Sequence, residues 1–276
     1  MGEIIRVKKD AYEIPDVRRQ VISRRYHSIT TIINKEFWGI DNDKLHSLYV
    51  GSYGRGTAVL ESDVDILIEL PLTEYDRFSS ASGNGQSRLL QAVKSKIMML
   101  YPRTEVKANG QVVVLNFVDG LKFELLPAFR TENYGTPIYT YGDTNNGGKW
   151  RSTNPKAEQD AISELNKECR TNGLLKDTCR HIRCIHNTFF SSYSLSGIVI
   201  DTFVYNKIGN WHWLRDGEQS CTQYETFEEY LLRSFNDMVN YGRFNIHLSA
   251  PGSHMDVNTA DSIECLSKVL NKIAGK

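Results

Sequence analysis

The sequence predicts an α+β protein, with a sheet-rich first half and a helical second half. Three observations carry that expectation. Apolar runs flank an Asp-x-Asp pair at 48–50 and 66–68, and a β-branched run at 112–118 leads into an Asp-Gly turn. From Pro155 onward, apolar residues recur at helical spacing. The chain's 276 residues suffice for one large domain or two closely associated ones. In order, 15–40 reads as a long helix through Val17, Val21, Ile29, Ile32, Ile33 and Phe37. A flexible turn at 79–85 precedes a helix at 86–99 striped by Leu89, Leu90, Val93 and Ile97. Asp119-Gly120 is a two-residue hairpin signal between the 112–118 strand and a return strand that Pro127 should end. Residues 133–155 look polar and irregular, with Gly142, Gly147 and Gly148. They read either as a loop offering Lys149, Trp150 and Arg151 to a base or phosphate, or as a linker. Helices are expected at 156–169, 174–190, 196–208, 227–241 and 260–273, the last capped by Asn258 or Thr259. The division falls between a unit of residues 1–154 and one of residues 155–276.

Composition excludes several classes. No apolar run approaches membrane-spanning length, and the first residues lack the apolar core of a secretory signal. The five cysteines (Cys169, Cys179, Cys184, Cys221, Cys265) show no C-x-x-C spacing, so neither a zinc knuckle nor a disulfide framework is indicated. A reducing cytoplasm fits, with no membrane partner. Lys plus Arg and Asp plus Glu number 33 each, which disfavours a long nucleic-acid activator. The pairs Arg18-Arg19 and Arg24-Arg25 lie on the first predicted helix and read as a solvated face.

The most informative stretch is 51–70, GSYGRGTAVLESDVDILIEL. Asp63 and Asp65, spaced i, i+2 on an extended segment, project from one face, while Val64 and Ile66 point to the other. Paired carboxylates repel unless a cation neutralises them, and oxygen ligands suit Mg²⁺ or Mn²⁺. The turn with Gly51, Gly54 and Gly56 can bring backbone N–H groups to phosphate oxygens, with Ser52 adding a hydroxyl. A plain structural turn is the alternative. On the return strand, Leu121, Phe123 and Leu125 fall on one face and Lys122, Glu124 and Leu126 on the other. A carboxylate among such apolar residues needs a partner, either a metal ion or a neighbouring Lys or Arg.

GSYGRGTA…SDVDILIEL followed by FELLPAF resembles the DNA polymerase beta-like nucleotidyltransferase superfamily. The flanking NGQSRLLQAVK, GGKWRSTNPKAEQDAI, LLKDTCRHIRCIHN and GIVIDTFVY make the chain most similar to the bacterial cGAS/DncV-like nucleotidyltransferases (CD-NTases), from about residue 24 to 273. The resemblance implies a sheet lobe and a C-terminal helical lobe with a nucleotide cleft between them. It also implies synthesis of a cyclic di- or trinucleotide from nucleoside triphosphates, ATP and/or GTP, as an antiphage signal for a separate effector. By position, Gly51 and Ser52 would hold the donor triphosphate, and Asp63, Asp65 and Glu124 would bind two Mg²⁺ or Mn²⁺ ions. Glu124 would also help deprotonate the attacking ribose hydroxyl. Many relatives carry Asp at this third position. Arg183 or His186, with Ser194 or Ser196, would reach the terminal phosphates, although relatives often carry Lys where His186 falls and neutral His is a poorer phosphate partner. His186 as a packed core histidine is the other reading. The Cys/His cluster of the DNA-sensing animal relative is missing from the sequence, and a monomer is expected. The alternatives are a linear oligonucleotide, small-molecule or protein nucleotidyltransferase, which would use the same residues, and a non-catalytic nucleotide sensor.

Overall fold

The structure, a computed structural model, describes residues 6–133, 136–219, 225–241 and 246–276. The chain forms two compact units. One comprises Ile14–Gly54 and Glu61–Pro155; the other comprises Arg55–Leu60, Lys156–Lys276 and the segment ending at Glu13. The change at Pro155 falls beside the expected boundary, but the division is not a single cut. Arg55 and Thr57 belong with the helical unit because both bond Asp201 inside it.

The first unit is built on a mixed sheet. Its strands are β1 (Ser47–Tyr49), β2 (Val64–Glu69), β3 (Glu105–Asn109), β4 (Val112–Asn116), β5 (Lys122–Asn133), β6 (Thr136–Asp143) and β7 (Lys149–Thr153). They run in the order β1-β2-β5-β4-β3, with β6 pairing β5 and β7 beyond it. Among the described residues, β2–β5 is the one parallel pairing of this sheet. The alternation of β2 and β5 buries Val64, Ile66, Phe123 and Leu125 on one face, against Ile22 and Ile29 of α1 (Asp16–Ile33) and Leu89, Val93 and Ile97 of α4 (Gly85–Leu100). Asn84 caps α4 by accepting the Ser87 N–H at 2.8 Å. Before it, α2 (Gly51–Arg55) is a single short turn and α3 (Leu72–Ser79) occupies a stretch the sequence left unassigned.

Several expectations change. The long first helix stops at Ile33 and continues as a π-helical turn, Asn34–Trp38. There the buried Asn34 amide donates to the Asn42 and Leu45 carbonyls at 2.8 and 2.9 Å. Pro127 does not end β5. It pairs with Ile68 of β2 at the point where β5 changes its other neighbour, between the last β4 pair (Val113 with Leu125) and the first β6 pair (Ala128 with Tyr141). A missing N–H is tolerated at such a switch. The irregular stretch at 133–155 is instead largely β6 and β7. Trp150 packs 4.8 Å from Tyr75 and 5.8 Å from Phe129 between ring centroids, and Arg151 donates to Asp143 at 2.7 Å, so neither stands out as a base or phosphate contact. Three of the four arginines in the basic pairs on α1 are tied down: Arg19 to Asp16, and Arg18 and Arg25 to Asp119, with Arg25 also 3.8 Å over the Phe117 ring.

The second unit holds α5 (Pro155–Leu165), α6 (Leu174–Phe189), α7 (Gly197–Lys207), α8 (Phe227–Tyr241) and α9 (Ile263–Ile273), with a small ribbon of β8 (Leu248–Ser249) and β9 (Asp256–Val257). Its core gathers Leu175, Ile182, Phe203, Leu231, Leu266 and Val269, each wholly buried. The last helix starts later than expected. Asn258 accepts from the Ala260 N–H in a local turn ahead of the helix, and Thr259 donates to the Ile246 carbonyl thirteen residues back, so neither caps it. Cys169, Cys179, Cys184 and Cys265 carry free thiols, and Cys221 lies outside the described residues. No described helix is long and apolar enough to cross a membrane.

Inside this apolar core sits a charged network. Arg183 donates to Asp201 at 2.7 Å, Arg55 to the other Asp201 oxygen at 2.7 Å and to Glu158 at 3.0 Å, and Thr57 to Asp201 at 2.8 Å. Burial alone would push the Asp201 carboxyl up, but the two guanidinium groups hold it down at about 2. Glu158 goes the other way: burial raises it, and Arg55 and Ser253 offset that only in part.

Asp201→Ala leaves two buried arginines without their shared counter-charge and is expected to cost about 3–5 kcal/mol of unfolding free energy. Because Asp201 is lowered in the folded state, its ionic contribution is complete above the ordinary aspartate range, about pH 4, and is lost as pH falls toward about 2. The difference in urea midpoint between wild type and variant should therefore narrow across that window. A pH-independent difference would exclude the ionised carboxylate as its source.

Candidate active site

The parallel register of β2 and β5 sets Val64 opposite Phe123, Asp65 opposite Glu124 and Ile66 opposite Leu125. Adjacent strands lie about 4.8 Å apart, so Asp65 and Glu124 stand side by side. Asp63 and Lys122, each two residues earlier, share their face. The opposite face is the apolar one packed on α1 and α4. Farther along the carboxylate face, Leu67, Ala128, Val50 and Tyr139 close a small apolar cluster. The polar group thus occupies one end of a face whose other end is packed.

Lys122 is the residue that sequence reasoning missed. Its ammonium lies 2.6 Å from Asp63 Oδ2 and 2.6 Å from Glu124 Oε1, joining two of the three expected metal ligands. Burial works against the charge, but hydrogen bonds to Asp63 and Glu124 overcome that and raise Lys122 above the ordinary lysine range. Alternation had already placed Lys122 on the face of Glu124, which was the available signal. Of the two partners expected for Glu124, a metal or a neighbouring cation, the structure shows the neighbouring cation.

Gly51 explains why a glycine opens the motif. It adopts φ +58°, and a Cβ there would fall 1.9 Å from Asp65 Oδ2 and 2.6 Å from its Cγ. The Asp65 carboxylate is tucked into the space a side chain would fill, and the Val50 N–H bonds the Asp65 carbonyl at 2.8 Å. Ser52 follows in α2, half-buried.

The donor set of Asp63, Asp65 and Glu124, all oxygen, suits a hard cation, and Lys122 already stands in for a positive charge between two of them. No group of three His, Cys, Asp or Glu side chains among the described residues is arranged to hold a metal ion. It is the chemistry of the oxygen donors that fits a divalent cation, and Asp63, Asp65 and Glu124 would be the residues to hold it. Beside Glu124 the sheet face opens into a cavity of ≈ 490 Å³ lined by Lys94, Lys107, Asn109, Asn116 and Lys122.

The remaining expected phosphate contacts belong to the helical unit. Arg183 is buried, its guanidinium donating to Asp201, to the Gly197 carbonyl at 2.9 Å and to the Cys179 carbonyl at 3.2 Å, so its groups already have protein partners. His186 is half-buried at the end of α6, with Nε2 2.9 Å from the Tyr193 carbonyl; it is not a core histidine. Ser194 is exposed. Ser196 occupies the N-cap position of α7 without a side-chain capping bond, its N–H donating to Ser262 Oγ at 3.0 Å. The same unit holds a basic pair that sequence reasoning passed over. Lys176 and Arg180, one turn apart on α6, both lie against Gly56: Arg180 donates to the Gly56 carbonyl at 3.0 Å, and a Cβ on Gly56 would come within 2.9 Å of Lys176 Nζ.

Residues 7–166 match the family model for the Second Messenger Oligonucleotide or Dinucleotide Synthetase (SMODS) domain. A probable cyclic nucleotide synthase of Bacillus cereus (strain VD146) is 26% identical over 232 residues, covering 80% of this chain; the chain spans 64% of that relative's length. Among solved structures, the CdnE cyclic dinucleotide synthase of Elizabethkingia meningoseptica with GTP and Apcpp superposes with a TM-score of 0.62 at 15% identity, covering 93% of this chain and 90% of that one. The STING-associated CdnE c-di-GMP synthase of Capnocytophaga granulosa gives 0.63 at 14% identity, with 94% and 79% covered. Escherichia coli DncV in its 3′-deoxy GTP bound form gives 0.56 at 11%, with 96% and 92% covered. At these identities the structures establish the fold. The family match spans more than half of the chain and contains Gly51, Ser52, Asp63, Asp65 and Glu124, so the chain belongs to the SMODS family, the bacterial cGAS/DncV-like nucleotidyltransferases.

Proposed function

We propose that this protein joins nucleoside triphosphates into a cyclic di- or trinucleotide second messenger, which acts on a separate effector in antiphage defence. The observation that carries the reading is the family match across residues 7–166, within which all five core site residues fall. Structural neighbours solved with GTP and Apcpp or with 3′-deoxy GTP favour ATP and/or GTP as substrates.

In this reading Gly51 and Ser52 hold the donor triphosphate, and Asp63, Asp65 and Glu124 hold Mg²⁺ or Mn²⁺, two ions by analogy with the superfamily. Such ions supply Lewis-acid polarisation of the phosphate and lower the pKa of the attacking hydroxyl. Glu124 takes the proton as the ribose oxygen bonds the α-phosphorus; the bond to the bridging oxygen of the β-phosphate breaks and pyrophosphate leaves. Two or three such transfers, the last one intramolecular, close the ring. Lys94 and Lys107 give the adjoining cavity the positive charge that suits a second anionic nucleotide.

Three outcomes are expected. Incubation with labelled nucleoside triphosphates and Mg²⁺ or Mn²⁺ should yield a phosphatase-resistant product that Asp65→Asn abolishes while thermal stability stays near wild type. Only phosphatase-sensitive product would favour a linear transferase. Gly51→Ala places a methyl on Asp65 and should reduce turnover by at least about 100-fold, the scale of an ångström-sized misplacement; near-normal turnover would show that Asp65 need not sit where it does. Ser52→Ala should mainly raise KM for nucleotide with kcat preserved, and an unchanged KM would reduce Ser52 to a turn residue.

A further inference from the structure

We propose that Lys122 is a built-in counter-ion that closes the carboxylate site of the metal-free protein, and that divalent cations bind by displacing it. The proposal rests on the reading of Asp63, Asp65 and Glu124 as cation ligands and adds a control on that site.

Three observations point to it. The ammonium bonds Asp63 Oδ2 and Glu124 Oε1 at the same distance, 2.6 Å, so it takes oxygen atoms from two of the three ligands at once. A metal and the ammonium compete for those atoms. Second, the side chains are only partly covered, at 38% exposed for Lys122, 41% for Asp63 and 26% for Glu124, so the ammonium can leave without an unsolvated charge being stranded. Third, it has somewhere to go. Lys122 and Glu124 both border the ≈ 490 Å³ cavity, and Asn116, the residue paired with Lys122 across β4–β5, borders it too. A lysine is a compact charge on a flexible stem, suited to such a swing where the fixed fork of an arginine is not.

The consequence is a threshold. With Lys122 in place, three carboxylates and one ammonium leave a net charge of −2 instead of −3, and a free divalent cation meets a weaker field and an occupied position. A cation delivered with a nucleoside triphosphate meets less opposition, because the phosphates offer the displaced ammonium a new partner. Lys122 would therefore make the site answer to the metal–nucleotide complex and ignore low concentrations of free cation. Two partly exposed ion pairs together correspond to about a tenfold change in cation affinity.

The test is Mn²⁺ binding followed by electron paramagnetic resonance in nucleotide-free wild type, Lys122→Met and Asp65→Asn. Alongside it, the rate at which an N-hydroxysuccinimide ester acylates Lys122 in wild type would be read by peptide mass spectrometry with and without Mn²⁺. Lys122→Met should bind Mn²⁺ about tenfold more tightly than wild type, Asp65→Asn should lose binding, and Mn²⁺ should speed acylation of wild-type Lys122. Equal affinity in wild type and Lys122→Met, with loss in Asp65→Asn, overturns the counter-ion while leaving the cation site standing. No Mn²⁺ bound by wild type or Lys122→Met, even with a non-hydrolysable nucleotide analogue, overturns the cation reading and the counter-ion with it. Should Lys122→Met fail to fold, an acylation rate unaffected by Mn²⁺ overturns the proposal by itself.

Discussion

The register of one parallel strand pair organises the sheet-bearing unit. Because Asp65 is the neighbour of Glu124, Val64 must face Phe123 and Ile66 must face Leu125. A slip of one residue would send the carboxylates into the apolar face and the isoleucines into water. The packing of α1 and α4 on that face therefore fixes the acids as firmly as any contact the acids make themselves. Gly51 adds the last restraint, since Asp65 occupies the volume of its absent side chain. Site geometry here is a by-product of core packing, which is why the residues with chemistry are so few and the residues that hold them are ordinary isoleucine, valine, phenylalanine and leucine.

The helical unit solves a different problem, charge within a core. Asp201 is wholly buried and survives as an anion because two arginines meet its two oxygens. Glu158, with one arginine and with Asp201 nearby, is driven the other way. Burial works against both carboxylates; two guanidinium groups overcome it at Asp201, and a single one does not at Glu158. The network also accounts for Arg183. A basic residue on α6 looked from the sequence like a phosphate ligand, yet the carboxylate that claims it lies eighteen positions on, in α7.

What could be read from the chain followed from local rules. Alternation gave the faces of β2 and β5, helical spacing gave α1, α4 and most of the second unit, and the ordered Gly-Ser and Asp-x-Asp elements gave the carboxylate face. Illegible features depended on partners distant in sequence. Pro127 reads as a strand end until β5 is seen to change neighbours there. The Gly-rich stretch around Tyr139 and Tyr141 reads as a loop until β5 supplies it with a ladder. Arg55 and Thr57, on either side of Gly56, carry no local sign that Asp201 draws them into the helical unit.

Lys122 belongs between these cases, since its face was legible and its bond to Asp63 was not. Three carboxylates on one sheet face repel one another, and a fold that depended on a bound metal to relieve that repulsion would lose stability whenever the ion was absent. An ammonium two residues before Glu124 on the same strand removes the difficulty with no change in the backbone, because the pleat delivers it to the right face at the right spacing. In the proposed reading the arrangement separates two demands that the acids would otherwise place on one ligand: charge balance falls to the chain's own lysine, and a cation would be needed only for chemistry. A charge on a flexible stem meets the first demand without obstructing the second.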